Sequence, residues 1–435
     1  MRHRVTLLHW SGRKAMKSDF TLSLEDIKSK NENALELFYS GIKSEQTRRS
    51  MEGNLKRFLV VACAEIFSGD FKNRVQEFVD LSKEDQDRAT SIVLAYVRKL
   101  RERASLDKND PNYLNPSSIP NKIKPIRKLV EMNGLGLGWK RIYSLYPEKD
   151  NTNKGRAYTR AEIQKMLEYS DSIESDFIIL ASSSGGFRVG AWNDQTWGNI
   201  SPVYEINGEY KITLEKDDKD FKIVCAAMLV YKNSPEEYIT LISIEAWNKL
   251  LEYKKVWTSR MKREPVDSDP LLLERNLYPE VRTLTEVAVS RRIWTLLLRS
   301  GMRGPLVEGK RRHEVPMTHG FRRYWDKIMM ETTKKRDTLS ALVIKERLMG
   351  HDGLVGTDKN YYWTDILDMV PDYLQAMPYL MISEESRLVQ KLEAEKLERQ
   401  RLEQANQEKD NALEKLGELE AKVRRMEKYQ VSHQD

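Results

Sequence analysis

Cysteine is nearly missing from this 435-residue chain, which carries only Cys63 and Cys225. Two thiols cannot make a disulfide framework or a zinc finger at this length. Each stands in an apolar run and reads as a small buried hydrophobe. Long hydrophobic runs are missing as well. Stretches such as Phe58–Ala64 and Phe177–Ala181 fall far short of the roughly 20 apolar residues a bilayer helix needs, so no membrane partner is expected. At the N-terminus, Arg2, His3 and Arg4 precede only the short apolar patch Val5–Trp10, with no small-residue cleavage site behind it. No signal peptide is read there, and a soluble protein of a reducing cytoplasm is expected.

Aromatic residues are plentiful. Nine tryptophans, nineteen tyrosines and ten phenylalanines exclude wholesale disorder. Length predicts two or three domains. The balance of 73 basic to 66 acidic residues gives a net charge of +7. The stretch 383–435 holds 11 basic and 13 acidic residues, which leaves the rest with 62 against 53. A basic body with a near-neutral tail fits nucleic-acid binding, because Lys and Arg neutralise phosphates and release counterions. A solvated lysine-rich surface gives the same count.

Three regions differ in pattern. The first, about 35–149 behind an extension of residues 1–34, reads as helical. Ser44-Glu45-Gln46-Thr47 opens a helix with Met51, Leu55, Phe58 and Leu59 at helical spacing. A second helix is predicted over Lys83–Arg103 with Ser82 as its N-cap. A third carries Ile126, Leu129, Val130 and Met132, with Pro125 in its first turn. Lys122, Lys124, Arg127 and Lys128 lie on its polar face and its approach, and are the candidate DNA-binding side chains. Glu148–Arg156 has no apolar side chain and reads as a linker.

The second region, 156–382, mixes helices and strands. Thr159-Arg160-Ala161-Glu162 is a capping-box start. Tyr210–Leu214, Val224–Val230 and Tyr238–Ile242 read as strands, and Tyr231–Glu237 as a hairpin turn with Lys232 near its tip. Helical patterns follow over Ala246–Val256, Leu284–Ser300 and Gly320–Thr332. The third region, 383–435, has an irregular heptad seam through Leu388, Leu392, Leu402, Leu413, Leu416, Leu419, Val423 and Met426, interrupted near Asn406. A short coiled coil is expected, with a lone charged helix as the alternative. The fold class is therefore mainly α with a small β-sheet: a helical domain, a mixed α+β domain and a coiled-coil helix.

Six histidines allow each to be weighed. His3, His9 and His433 lie near the termini and His313 sits in a basic loop. His319 opens Thr318-His319-Gly320-Phe321-Arg322, with Arg322 three residues on and on the same helix face. His351 closes Leu348-Met349-Gly350-His351, with a glycine ending the helix before it. Arg188 follows the small-residue stretch Ser182–Gly186, read as a turn after an apolar helix. Tyr361 and Tyr362 come shortly after His351. Each feature alone is common. The order is specific: turn arginine, hairpin lysine, His-x-x-Arg, Leu-Met-Gly-His, tyrosine.

That order, behind a basic helical domain, resembles the tyrosine recombinase (phage integrase) family over roughly Leu35–Leu380, and most of all archaeal integrases of viral or mobile-element origin. The resemblance implies a core-binding domain followed by a catalytic domain. It puts Arg188 and Arg322 on the two phosphate-binding arginines, Lys232 on the hairpin general acid, and His319 and His351 on the paired histidines. It puts the nucleophile on Tyr362, if the small polar helix start is aligned on Thr357, with Tyr361 as the alternative. A covalent 3′-phosphotyrosine, no cofactor and no metal are implied. The expected partner is double-stranded DNA at specific sites, bound by a homotetramer in the nucleoid. The segment 365–382 is expected to dock on a neighbouring protomer. One position departs from the family: the acidic residue usual three after the first arginine is Ala191 here, with Asp194 nearby. A type IB topoisomerase-like enzyme and an inactive architectural protein on the same fold are the competing readings.

Overall fold

Polar caps set the helix starts in the computed structural model, which describes residues 33–148, 155–215, 218, 220–274, 281–306, 313–333, 338–351, 366–389 and scattered residues of the tail. The chain divides between Lys154 and Gly155 into two units. In the first, Asn33 caps α1 (Ala34–Ser40), Ser44 caps α2 (Glu45–Lys56), Asp70 caps α3 (Phe71–Glu84) and Asp85 caps α4 (Gln86–Ala104). Each side-chain oxygen accepts a backbone N–H of its helix's first turn, which would otherwise have no partner. Helices α5 (Ile119–Met132) and α6 (Trp139–Ser144) complete the unit. Its core gathers Phe38, Leu55, Phe58, Phe78, Val97, Ile126 and Leu129, all buried, with Phe58 meeting Phe78 edge-on at 5.4 Å.

Two predicted starts are corrected here. Ser82 is no cap: it is buried inside α3, donating its hydroxyl to the Phe78 carbonyl at 2.7 Å. The break falls at Asp85, whose extended backbone and accepting carboxylate start α4. Pro125 lies within α5, and Pro120 takes the first turn. A proline has no N–H for the carbonyl four residues back. That carbonyl, of Asn121, accepts from Asn54 Nδ2 on α2 at 3.4 Å instead.

The second unit is built round α8 (Ile173–Gly185), buried at every residue from Phe177 to Gly185. A helix apolar on all sides must be covered on all sides. It packs on α9 (Ile244–Met261), on α11 (His319–Thr333) and on a four-stranded antiparallel sheet. The sheet order is β2 (Glu209–Lys211), β1 (Ile200–Ile206), β3 (Lys222–Val230), β4 (Tyr238–Ser243). The remaining elements are α7 (Arg160–Glu168), α10 (Glu286–Arg299), α12 (Thr338–Leu348) and α13 (Val370–Leu380). The capping box at Thr159 is present with both of its hydrogen bonds. Cys63 and Cys225 are both buried, and burial pushes the Cys63 thiol up to about 11.

Ser182, Ser183 and Ser184 are the last turn of α8 rather than a turn after it. Their hydroxyls serve the helix and its neighbours: Ser183 and Ser184 both donate to the Leu180 carbonyl, and Ser184 Oγ accepts from the Ser243 amide. Small polar residues thus let β4 come close without stranding a buried polar group. The segment after the tyrosines is also placed otherwise than expected. Helix α13 lies in this chain's own core, with Tyr373, Ala376 and Leu380 fully buried and the Tyr373 hydroxyl donating to the Ser184 carbonyl at 2.9 Å. Among the described tail residues, Leu388, Leu392, Leu402 and Leu419 are each more than half exposed. No helix among the described residues is long and apolar enough to cross a membrane.

Candidate active site

Two glycines with positive φ bring the site together. Gly186 ends α8 at φ 62°, and a Cβ there would strike the Trp325 indole of α11. Gly350 ends α12 at φ 65°, where a Cβ would strike the Tyr238 ring of β4. Only glycine permits both this backbone and these contacts. Two residues after the first comes Arg188; one after the second comes His351.

Arg322, on α11, joins the two turns. It is buried, 7% exposed, and its Nη1 donates to the Gly186 carbonyl at 2.7 Å. Its Nη2 donates to the Met349 carbonyl at 2.9 Å and lies 2.6 Å from His351 Nε2. On the other side of the ring, His351 Nδ1 is 2.8 Å from a Glu346 carboxylate oxygen. A guanidinium only donates and a carboxylate only accepts. A neutral imidazole with its proton on Nδ1 satisfies both neighbours, and the tautomer is assigned on that ground. Glu346 is held in turn by Lys345, which also pairs with Asp326. Burial works against the Glu346 charge, but the hydrogen bonds from Lys345 and His351 prevail and keep its carboxyl below the ordinary value.

His319 opens α11 on the exposed side of the site. Partial burial, and then the charges of Arg323, Arg322 and Arg188, pull its imidazole below its ordinary value. Tyr231, on the hairpin, is acted on by the charges of Arg188 and Arg322 as well. Arg188, His319, Arg322 and His351 are therefore neighbours. Lys232 is exposed beside Tyr231 on the turn between β3 and β4. That turn is tied by Ser234 N to Tyr231 O and Asn233 N to Glu237 Oε2. Tyr361 and Tyr362 lie outside the described residues. Lys122, Lys124, Arg127 and Lys128 all lie on α5 in the first unit. Arg127 is engaged by Glu131 and the Tyr143 hydroxyl.

Sequence reasoning missed three groups here. Glu346 could have been noticed one and a half turns before His351. Tyr238 has a buried hydroxyl beside the Arg322 guanidinium, and burial pushes it up to about 12 against the charge and hydrogen bonding of Arg322. The third is Glu286. Ala191 is buried and carries no charge, and Asp194 is exposed. The carboxylate that reaches this turn comes from the start of α10: a Cβ on Gly190 would lie 3.0 Å from Glu286 Oε2 and 3.2 Å from the Tyr231 hydroxyl. The Glu286 amide donates to Asn193 Oδ1 at 2.7 Å, which fixes that approach.

No protein-family profile matches the chain, and no curated protein does. Solved structures similar to it include XerA recombinase, at 14% identity and TM-score 0.32 over 74% of this chain and 96% of that one. A lambda integrase dimer bound to a core site aligns at 11% identity and TM-score 0.39, over 75% of this chain and 85% of that one. The pre-cleavage complex of XerH site-specific recombinase with its difH substrate aligns at 12% identity and TM-score 0.37, over 78% and 95%.

Proposed function

We propose that this protein is a site-specific DNA recombinase that cuts and rejoins strands through a covalent 3′-phosphotyrosine. One observation carries the reading: the single buried side chain of Arg322 bonds the carbonyl two residues before Arg188, the carbonyl before Gly350 and the ring of His351. Segments far apart in sequence and matched only by the order of their motifs are thereby held at one point.

The chemistry follows from what those groups can do. A tyrosine hydroxyl, from Tyr362 or else Tyr361, attacks the phosphorus. A Tyr–O–P bond forms as the bond to the 5′-oxygen breaks, so the energy of the diester is kept for rejoining. Negative charge grows on the two non-bridging oxygens, and Arg188 with the remaining N–H groups of Arg322 neutralises it. Lys232, on an exposed hairpin tip, gives its proton to the departing 5′-oxygen. His351, fixed by Glu346, holds Arg322 in position. His319, kept neutral, hydrogen-bonds the phosphate or takes up the tyrosine's proton. The Tyr238 hydroxyl, beside Arg322, helps to hold that guanidinium, and Glu286 supplies the negative charge that Ala191 lacks. None of these steps calls for a metal or cofactor. Site-specific exchange requires several copies on DNA, a homotetramer in this reading, with the exposed leucines of the tail available for contacts between copies.

Covalent trapping tests this. Nicked duplexes from the ends of the encoding element are incubated with wild type, Tyr362→Phe and Tyr361→Phe in chelator and run on denaturing gels. The expected result is a protein–DNA adduct lost only in Tyr362→Phe. Loss only in Tyr361→Phe moves the nucleophile by one residue. Tight binding with no adduct from any variant replaces the recombinase with an architectural DNA-binding protein.

A further inference from the structure

Lys232 stands on the loop Tyr231–Glu237, between the last residue of β3 and the first of β4. A lysine is a point charge on a flexible stem. Its ammonium can be aimed at one oxygen only if the backbone beneath it is fixed. Two residues with left-handed backbone flank it, Tyr231 at φ 55° and Asn233 at φ 63°. Asparagine takes up that conformation readily. A bulky aromatic residue rarely does, and keeps it only where its surroundings over-determine it. The hydrogen bonds of the loop itself, from the amides of Asn233, Ser234, Glu236 and Glu237, all stay inside it. The Tyr231 side chain is what leaves the loop.

It turns back toward the 3-10 turn Val189–Asp194 and the start of α10. Its ring meets that of Tyr238 at 60°, with centroids 6.2 Å apart. It packs against the apolar core, whereas Lys232 beside it is exposed. Its hydroxyl stands over Gly190, where the missing side chain leaves room. A Cβ there would lie 3.2 Å from that hydroxyl and 3.0 Å from Glu286 Oε2. Gly190 is two residues past Arg188, whose carbonyl accepts the Ala191 amide. The charges of Arg188 and Glu286 both reach the Tyr231 phenol, with opposite effects. One side chain thus joins the loop that bears Lys232 to the turn that follows Arg188.

We propose that Tyr231 is a positioning residue, a peg that holds the hairpin against the Arg188 turn so that Lys232 and Arg188 address one phosphate together. This rests on the recombinase reading, in which Lys232 protonates the 5′-oxygen as its bond to phosphorus breaks. The ammonium gives up one proton and becomes an amine, and the 5′-carbon is left with a neutral hydroxyl. Tyr231 takes no part in that transfer. It acts on the rate only through where Lys232 stands.

A change of leaving atom separates that role from a general loss of structure. Once wild type has located the scissile bond, the nicked duplex is made in two forms, with oxygen or sulfur bridging that phosphorus to the 5′-carbon. Full-length wild type, Lys232→Ala, Tyr231→Gly and Tyr231→Phe are compared by the single-turnover rate of adduct formation. Glycine adopts φ 55° without strain, so Tyr231→Gly removes the peg and leaves the turn possible. On oxygen, Lys232→Ala should react about 10²-fold more slowly than wild type. Tyr231→Gly should be about tenfold slower, and Tyr231→Phe, which keeps the ring, should recover most of that loss. On sulfur both deficits should vanish, because thiols ionise near pH 8.5 and a thiolate departs without a proton. A Tyr231→Gly deficit equal on both duplexes, or absent from both, would overturn the peg while the wild-type adduct kept the recombinase reading. A Lys232→Ala deficit that survived on sulfur would overturn it too, since Tyr231 would have no acid to place. Failure of wild type to form an adduct with either duplex would remove the recombinase reading and the peg with it.

Discussion

Arg322 and Lys122 are cations drawn partly or wholly out of water, one in each unit, and their surroundings treat them in opposite ways. Arg322 meets two backbone carbonyls and an imidazole backed by a carboxylate. Lys122 meets one amide oxygen that it shares with Arg57. The first arrangement fixes a guanidinium in one place, as the proposed in-line phosphoryl transfer requires, because a misplacement of about 1 Å costs orders of magnitude in rate. The second holds its cations loosely, on one shared neutral oxygen.

The largest expected effect breaks the first arrangement. Arg322→Lys keeps the charge but cannot span both carbonyls and His351, so strand cleavage of a nicked duplex should fall by at least about 10²-fold. Adduct yield on denaturing gels checks it, with melts to register the loss of two carbonyl partners. Glu346→Gln should come next, at about tenfold or more, because a glutamine no longer dictates which imidazole nitrogen carries the proton. Its pH dependence has a defined sign. The Glu346 carboxyl lies below its ordinary 4.5 in the fold, so its contribution to stability is present above that value and is lost as pH falls through the folded value. The melting temperatures of wild type and Glu346→Gln should therefore converge in acid.

Removing both cations of the second arrangement, in Arg57→Gln/Lys122→Gln, should flatten the dependence of log affinity for duplex DNA on log salt, read by anisotropy, by up to about 2. Titration of His319 gives a smaller effect. Its folded value lies below 6.5, so stability falls as pH drops below that point, where the unfolded ring takes a proton more readily. A phosphate in the site favours the protonated ring, so DNA affinity should rise over the same window. His319→Gln should flatten both curves, in melts and anisotropy. Smallest is Arg49→Gln, whose pair with Glu45 is solvent-exposed and whose loss should leave DNA affinity nearly unchanged.

Much of this was legible as pattern. Motif order singled out Arg188, His319, Arg322 and His351, and these four are neighbours in the fold. Glu346, Tyr238 and Glu286 were not legible, since their part depends on which elements pack together. The capping box at Thr159 could be read because it is local. Strand β1 could have been read as well: Asn207 and Gly208, at φ 52° and 87°, turn it into β2, and Asn-Gly is the strongest short hairpin signal. Pro202 and a mixed apolar pattern hid it. Ser82 misled because a serine before a helical run caps only if the chain breaks there, and the break needed Asp85. Pro125 misled for the converse reason: a partner from another helix made an interior proline tolerable.

The tail has its own mechanical consequence. Glu245, in the first turn of α9, accepts the backbone N–H groups of Ile382 and Ser383, each at 2.8 Å. This is the point where the chain passes from α13 into the tail. Any load applied to the tail, whether by a second copy or by a tether, enters the fold at the seam where β4 becomes α9. Strand β4 runs from that seam back to the hairpin that bears Lys232. A pull at one end of the strand is thus delivered, through a stiff element six residues long, to the hairpin at the other.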